Sequence, residues 1–447
     1  MHQSTLCLFA MILPRKKTLQ IETVAQGTAV ATLLALPIST TGTLAFFFLT
    51  TFLILLSGNW TTKWSLIKNN PIALTFFTFF AIYLLGTAYT IGSRADIREI
   101  LLRFCWLLLT PLWIPLFIEK KWQQRGINAF LIAMTITLIL SFFKYFNWIH
   151  SLRFWSLLNH RLVYSHASIF KDYIIQSFLM SITAIIFFHR FMQNKQWLYA
   201  ILFLGATTNI FFISQSRTGY LIFILLFSYA VFSQMRLKKA LTIFASSIAI
   251  LAAALIILPS PIHTRSIEAI RDVQQWDKGE ETTSLGYRMA WQINALNLIK
   301  QRPILGYGTG SIKAAYATLP KKDTEQTGVV NNSSSGYLNI AIQFGIVGLI
   351  ITLGMLLLQW RYSFFLPKEQ SLLIQAMLIA ICVGNIANSW FMDFTQGHFY
   401  ALVSMLSFAP LTKRLKPSKA QDHAYNDDVS ADIHAENKVH TPNLTTK

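Results

Sequence analysis

The chain has 447 residues, of which 53% are hydrophobic and only 13% are charged, and its formal net charge is +19. Its apolar residues come in repeated blocks of roughly 15 to 23, about the length at which a helix spans the hydrocarbon core of a bilayer. These features exclude an ordinary soluble domain and predict an all-α polytopic membrane protein. Most of the excess positive charge lies in short connections, where it orients the chain and contacts anionic lipids. We therefore expect membrane lipids, and no nucleic acid, as partners.

About twelve transmembrane helices are predicted from blocks that are largely free of charged residues and are bounded by Gly, Pro or charge clusters. Pro37 and the short link after it would also suit a re-entrant hairpin in place of the first two helices. The predicted helices are 23–38, 43–57, 71–89, 99–118, 127–147, 169–189, 197–214, 218–235, 239–258, 337–359, 371–390 and 397–412.

Lysine and arginine are distributed unequally over the alternate connections between these helices. One set carries clusters such as Lys120, Lys121 and Arg125, whereas the short connections of the opposite set carry only isolated arginines. Because short cytoplasmic loops retain positive charge, both termini are predicted to lie in the cytoplasm. The polar C-terminal tail is predicted to be disordered there. The chain thus divides into a membrane domain of helices 1–9 (1–258), a large outer loop (259–336), a second membrane part with helices 10–12 (337–412) and the tail (413–447).

The large outer loop is long enough to fold over the mouth of the bundle, and such insertions are usually functional. Within it, apolar residues such as Leu285, Met289 and Ile293 recur at helical spacing, so we predict a helix that ends before Pro303. The stretch "GYGTGS" follows. It is interpreted either as an ordinary glycine-rich turn or as a turn whose N–H groups face an anion.

Arg217, in the stretch "SQSRTGYL", stands at the outer junction between two apolar helices. A guanidinium at bilayer depth is costly unless it is paired or hydrated. The residue is therefore either an interfacial arginine whose head group reaches water or a phosphate clamp, since the planar fork of arginine matches a diphosphate. The other outer arginines, which could converge with it on an anion-binding cavity, are Arg94, Arg98, Arg153, Arg161 and Arg288.

The order of several motifs resembles one known family. "SQSRTGYL", "YRMAWQINALNLIKQRPILGYGTGS" and "SGYLNIAIQFGIVGLI" are similar to the O-antigen ligase and polymerase superfamily of bacterial inner-membrane glycosyltransferases, and "NSWFMDFTQGHFYAL" is similar to the family's last outer loop. The resemblance makes the large loop periplasmic. It implies transfer of a glycan from undecaprenyl diphosphate to lipid A core without a metal or other cofactor. Polymerases of the family use another carrier-linked repeat as the acceptor, and further relatives use a protein hydroxyl.

The resemblance also assigns roles to residues. Arg217 and Arg288 would hold the carrier's diphosphate and stabilise it as the leaving group. The family's acceptor-activating His-Asn pair precedes the helix after the large loop, and alignment on "FGIVG" places Ser334 and Ser335 there. A serine cannot replace imidazole as a base near neutral pH, although it can position a hydroxyl by hydrogen bonding.

Three explanations of this departure are open. Another outer residue supplies the base, or the reaction needs little base because diphosphate leaves readily, or the protein is impaired or altered in its acceptor. Asp393 would otherwise simply cap a helix or pair with an arginine. The candidate bases are His160, His166, His263, His398 and Asp393. The predicted catalytic residues are Arg217, Arg288, Ser334, His398 and Asp393, and the predicted substrate-binding residues are Arg161, Tyr307, Ser335 and Tyr337.

The leading functional hypothesis is an O-antigen ligase, and the alternatives within the same chemistry are an O-antigen polymerase and a protein O-oligosaccharyltransferase. A twelve-helix transporter or flippase is a hypothesis from another class. Transporters usually contain internal repeats and charged segments near the bilayer midplane. Here the helix interiors are nearly free of charge, and Arg103, the deepest clear charge, lies close to a helix end. This pattern disfavours transport.

Overall fold

The computed structural model describes residues 15–146, 148, 168–214, 216–257, 261–277, 283–320 and 328–414. Over these ranges the chain is all-helical and contains no β-strand, which confirms the predicted all-α class. The α-helices are α1 (Arg15–Ala35), α2 (Thr40–Leu56), α3 (Trp60–Lys68), α4 (Pro71–Leu85), α5 (Arg94–Phe104), α6 (Trp106–Leu109), α7 (Lys120–Tyr145), α8 (Tyr173–Asn194), α9 (Trp197–Thr208), α10 (Arg217–Gln234), α11 (Leu237–Ile257), α12 (Pro261–Asp277), α13 (Ser284–Gln301), α14 (Ile312–Tyr316), α15 (Gly336–Ser363), α16 (Lys368–Ala387), α17 (Phe394–Phe408) and α18 (Leu411–Arg414). Two 3₁₀ segments cover Gly86–Ala88 and Thr110–Phe117, and a π-helical turn covers Asn209–Ile213.

Six helical segments of the described chain are long and apolar enough to cross a membrane. A seventh candidate is the pair α2 and α3, which is bent by 120° at a short break. These segments support the predicted membrane protein, whereas the count of twelve spans and the placement of one loop on the outer side stay predictions. The six segments are Pro71–Ala88, Arg94–Phe117, Lys120–Tyr145, Tyr173–Asn194, Gly336–Ser363 and Lys368–Ala387.

Most of the observed helix boundaries differ from the predicted ones by several residues, and two of these differences have a clear local reason. The helix predicted from residue 169 begins at Tyr173, because the Asp172 carboxylate accepts the N–H groups of Ile174 (2.8 Å) and Ile175 (3.0 Å) and so caps α8. The single helix predicted over 99–118 is instead α5, α6 and a 3₁₀ segment. That segment contains two prolines, which cannot donate helical hydrogen bonds. By contrast, α13 ends at Gln301, as the proline after it predicts.

Helix α8 lies at the centre of the bundle. It is the most enclosed of the six candidate spans, with 78% of its apolar window buried, and it packs against α9, α10 and α16. The ring of Phe178 lies 4.7 Å from that of Trp390 and 5.9 Å from that of Phe399, between centroids. Burial on nearly every side is typical of a helix without a polar face. Because Trp390 lies in the segment between α16 and α17, its contact with Phe178 fixes that segment to the centre of the bundle.

Helix α15 is broken at Gly345, where φ is +59° and the helical geometry is lost. The carbonyl groups of Ile342 and Gln343, just before the break, accept hydrogen bonds from outside the helix. Their donors are the N–H groups of Tyr307 (2.9 Å) and Gly308 (2.8 Å). Both of these carbonyl groups are therefore paired.

The N–H groups beyond the break, which would bond those carbonyls in a continuous helix, also turn to the same part of the chain. Ile346 donates to the Pro303 carbonyl oxygen (2.8 Å) and Val347 to that of Ile304 (3.4 Å). Residues 303–310, which we call the bridging segment, thus replace the missing helical bonds on both sides. A broken helix at membrane depth requires such pairing, because no water is present to provide it.

The three glycines of "GYGTGS" belong to the bridging segment, and all have positive φ: +66° at Gly306, +87° at Gly308 and +71° at Gly310. The Gly310 N–H donates to the side-chain oxygen of Gln343 (2.9 Å), and the Thr309 N–H donates to a carbonyl of the 3₁₀ turn after α4 (3.1 Å). Together with Gly308, these donors serve packing between α4 and α15. The interpretation in which they face an anion is wrong.

Replacing Gly345 by Ala is expected to destabilise the protein. An added Cβ would lie 2.3 Å from the Ile304 carbonyl oxygen, and a φ of +59° strains any residue with a side chain. We expect the free energy of unfolding to fall by about 1–3 kcal/mol or more, measured as the thermal unfolding of the detergent-solubilised protein. Gly354→Ala in the same helix is the matched control, because nothing lies within 4 Å of its added Cβ. Equal losses of unfolding free energy in both variants would contradict the special role of Gly345 at the helix break.

Candidate functional site

A cavity of about 450 Å³ lies where the N-terminal ends of α8 and α10 meet the last turn of α16, with α12 and α13 beside them. Arg217 from α10 and Arg288 from α13 both line it. The structure therefore brings together the two arginines that the sequence singles out. We call this space the arginine cavity. Arg94 and Arg98 lie on α5 and do not line it.

Arg217 is the first residue of α10, and its side chain is 41% exposed. The helix begins there because the Ser216 hydroxyl oxygen accepts the Gly219 N–H (3.1 Å). The N-terminal end of a helix carries a partial positive charge and attracts anions. The guanidinium and the helix end thus add their positive potential at one side of the cavity.

Arg288 lies in the first turns of α13 and is half-buried. One of its Nη atoms donates to the Ala387 carbonyl oxygen (3.2 Å), at the last residue of α16. The carbonyl groups at a helix C-terminus lack helical donors and carry a partial negative charge. This contact fixes the second arginine to the end of α16.

Two carboxylates from α12 also line the arginine cavity. Glu268 Oε2 and Asp272 Oδ2 each lie 3.5 Å from an Nη atom of Arg217. The two acidic residues are four positions apart and therefore share one face of the helix. Their approach to Arg217 depends on the packing of α12 and was not anticipated from the sequence.

Residues Asn331–Ser335, directly before α15, form a polar stretch that we call the polar run, and its last two serines have different roles. Ser335 caps the helix: its hydroxyl oxygen accepts the Leu338 N–H (3.4 Å), and its proton is donated to the Asn385 carbonyl (3.0 Å). Ser334 adopts a left-handed φ of +59°, and its N–H donates to Asn332 Oδ1 (2.8 Å). Within the described part of the chain its half-exposed hydroxyl has no hydrogen-bond partner. Ser334 is therefore the serine of the pair whose hydroxyl is available to a substrate.

A buried amide network holds this run in place. Asn332 Oδ1 accepts from the Ser389 hydroxyl (2.6 Å) and from Asn339 Nδ2 (2.9 Å). Asn339 Oδ1 in turn accepts from the N–H and the hydroxyl of Ser333 (2.9 and 2.8 Å). A hydrogen-bond network of this kind rigidifies its members. Sequence reasoning missed these residues, although an asparagine inside an apolar helix was a usable signal for Asn339.

A second cavity, of about 190 Å³, adjoins the polar run through Asn331 and Asn332. Its other side carries Arg103 and Glu99 of α5, which form an ion pair at 2.5 Å. Lys313 of α14 also lines it. The run also approaches the arginine cavity, because the N–H of Gly336, directly after it, donates to the Asn388 carbonyl (2.9 Å), and Asn388 follows Ala387 of that cavity.

Asp393 begins α17 from the turn that follows α16, and its N–H donates to the Ser389 carbonyl (3.1 Å). Its carboxylate does not cap the helix. Burial raises the pKa of this carboxyl from 3.8 to about 6, the charge of Asp172 adds to the rise, and Arg103 opposes it. A carboxylate with a pKa near 6 is a stronger base than an ordinary one and is still ionised at neutral pH.

The other predicted site residues of the described chain lie in packed surroundings. His398 is only 7% exposed, its Nδ1 is 2.8 Å from the Phe394 carbonyl oxygen, and its ring lies among aromatic rings. The Tyr307 hydroxyl donates to Gln301 Oε1 (2.9 Å), and the Tyr337 hydroxyl to the Cys382 carbonyl (3.1 Å). None of the three lines the arginine cavity.

Several predicted residues lie outside the described residues, so the structure does not place their side chains. His263 falls within α12, where only the helix is described. The others, in the connection before α8, are Arg153, His160, Arg161 and His166.

Apolar helices long enough to cross a membrane, with a cavity at their ends that is lined by two arginines, define the class of this chain as a helical membrane protein with a charged cavity. Residues 198–353, which contain both arginines and the polar run, match the family model described as O-antigen ligase. This match supports the O-antigen ligase and polymerase superfamily, whose members are glycosyltransferase-like enzymes. A comparison with curated proteins finds no match.

Asp393→Asn is expected to alter how stability depends on pH. With a folded pKa of about 6 and a usual value of 3.8, the folded protein holds this proton more tightly than the unfolded chain does. Raising the pH through that window therefore lowers wild-type stability, whereas the amide cannot titrate. In thermal unfolding, the stability of the variant relative to the wild type should therefore rise as the pH is raised from about 4 to about 6. A difference that stays constant across this range would contradict the raised pKa.

Proposed function

We propose that the protein is an O-antigen ligase, which transfers a glycan from undecaprenyl diphosphate to lipid A core. The reaction would take place on the periplasmic face of the bacterial inner membrane, with both termini of the chain in the cytoplasm. One observation carries the proposal: Arg217 and Arg288, from distant parts of the region matched to the family, line a single cavity. A paired guanidinium site suits a diphosphate, since each planar fork can bind a phosphate group through two hydrogen bonds.

The donor's reaction depends on charge at the leaving group. When the bond between the anomeric carbon and the diphosphate oxygen breaks, its electron pair leaves with the diphosphate. Arg217, Arg288 and the N-terminal end of α10 would stabilise that growing negative charge. Preorganised positive groups of this kind need no metal, and the proposed mechanism contains none. The prenyl chain would extend from the cavity into the lipid.

The acceptor would approach from the other side of the polar run. In the proposed arrangement the Ser334 hydroxyl orients the acceptor hydroxyl, whose oxygen forms the new bond to the anomeric carbon. Its proton passes to Asp393, a carboxylate whose pKa of about 6 suits a base at neutral pH. The link between the two residues is the turn at Ser389, which bonds Asn332 through its hydroxyl and Asp393 through its carbonyl.

The decisive experiment is deletion of the gene in its host, followed by lipopolysaccharide gels with carrier-linked glycan measured in parallel. A ligase predicts loss of capped lipopolysaccharide while long carrier-linked chains accumulate. The strain is complemented with the wild type, Arg217→Lys or Arg94→Lys. Because lysine lacks the bidentate fork, Arg217→Lys should restore capping at least tenfold less well, whereas Arg94→Lys, outside the cavity, should restore it fully.

Other outcomes assign a different function or none. Single capped repeats would indicate a polymerase, and loss of protein-bound glycan with intact lipopolysaccharide would indicate a protein O-oligosaccharyltransferase. Unchanged glycans of every class would overturn the proposal. Full capping by Arg217→Lys in a strain that loses capping on deletion would overturn the diphosphate clamp alone.

Ser334→Gly tests the acceptor side in a purified transfer assay. Glycine suits the left-handed φ of +59° and removes only the hydroxyl, so folding should be kept while transfer falls about tenfold. Asp393→Asn should reduce transfer further, by about 10²–10³-fold, if this carboxylate takes the proton. The double variant Ser334→His, Asp393→Asn places an imidazole at the family's position and should recover part of that loss. Wild-type activity in Asp393→Asn would exclude Asp393 as the base.

A further inference from the structure

The cation of Arg217 is already engaged by two anions. Glu268 reaches one terminal nitrogen of the guanidinium and Asp272 the other, each at 3.5 Å. Both come from one face of α12, and both line the arginine cavity. The two phosphates of a diphosphate would approach the guanidinium in the same way, with one anionic group at each terminal nitrogen. The carboxylates therefore occupy positions that a bound diphosphate needs.

The charges of the cavity lining cancel in this state. Arg217 and Arg288 supply two positive charges, and Glu268 and Asp272 supply two negative ones. An arginine pair without acidic neighbours would attract any anion, including the single phosphates of ordinary phospholipid head groups at the membrane surface. The two carboxylates offset that attraction, so an entering anion must replace them.

The two ion pairs have the geometry of replaceable contacts. A distance of 3.5 Å is long for a charge-assisted hydrogen bond, and the side chains of Arg217 and Glu268 are 41% and 42% exposed. Ion pairs of this exposure contribute little to stability, so breaking them is cheap for a ligand that binds both arginines. Asp272 is less exposed, at 16%, and its pair is the stronger obstacle of the two.

We propose that Glu268 and Asp272 determine specificity as internal competitors: they hold Arg217 until a lipid diphosphate displaces them. This inference rests on the proposed diphosphate site and adds a selection step to it. Because every anionic ligand must displace the carboxylates, the affinity of each such ligand falls by a similar factor. A head group with one phosphate, held weakly to begin with, then no longer occupies the cavity, whereas a diphosphate that engages both Arg217 and Arg288 remains bound. The carboxylates thus keep bulk anionic lipid out of the donor site.

The test uses the full chain in lipid nanodiscs and farnesyl diphosphate as the probe. The double variant Glu268→Gln, Asp272→Asn keeps side-chain size and removes both charges. In zwitterionic nanodiscs it should bind the probe about fivefold or more tightly than the wild type. Adding phosphatidylglycerol should then weaken probe binding in the variant far more than in the wild type. Glu99→Gln is the matched control, since Glu99 also pairs with an arginine, Arg103, but lies outside the arginine cavity.

The outcomes separate this inference from the function it rests on. Equal or weaker probe binding by the double variant, with clear binding by the wild type, overturns the competitor role and leaves the donor site intact. Absence of binding by both proteins overturns the donor site and the competitor role together. A gain shown equally by Glu99→Gln would mean that net charge, not α12, governs affinity, and would also overturn the inference. Arg217→Ala placed on the double variant should abolish the gain.

Discussion

The break in α15 determines how the large connection meets the helical bundle. A helix interrupted at Gly345 leaves carbonyl and N–H groups without partners in a region where water is scarce, and each such group is costly. The bridging segment provides four replacement hydrogen bonds, which tie residues 303–310 to the middle of a candidate membrane span. Helix α13 ends directly before this segment, and the Tyr307 hydroxyl bonds Gln301 at its end. The position of Arg288 on α13 therefore follows from a backbone requirement elsewhere.

The last turn of α16 connects the two arms of the candidate site. Its orphan carbonyls bond Arg288 through Ala387 and Ser335 through Asn385. Gly336 fits beside it only because glycine lacks a side chain, since an added Cβ would lie 1.9 Å from the Asn385 side-chain oxygen. Helix termini must find partners for these carbonyls in any case. Here that need attaches both the arginine cavity and the polar run to one helix end.

The parts of this site that depend on residue type and order can be predicted from the sequence. Arg217 and Arg288 are predictable because each stands in a motif, and their convergence follows from shared placement at one end of the helices. Glu268 and Asp272 are not predictable in this way, because their role depends on how α12 packs. The same limit applies to the glycines of the bridging segment, which look like an anion-binding turn until the partners of their N–H groups are known. Gly345 is likewise an ordinary glycine in "FGIVG" until the break is seen.

The sequence resemblance implies a histidine where this chain has serine, and the proposed division of the site into a donor side and an acceptor side accounts for that difference. On the proposed donor side, positive charge would stabilise a leaving group that is already stable as an anion, so bond breaking would demand little help from a base. On the acceptor side, a rigid amide network presents one serine hydroxyl whose hydrogen-bonding capacity is not used by the described chain. A base is then needed mainly to receive a proton as the new bond forms, and a buried carboxylate with a raised pKa can do this near neutral pH. In the proposed mechanism the tasks of a His-Asn pair are thus divided between Ser334, which positions, and Asp393, which accepts the proton.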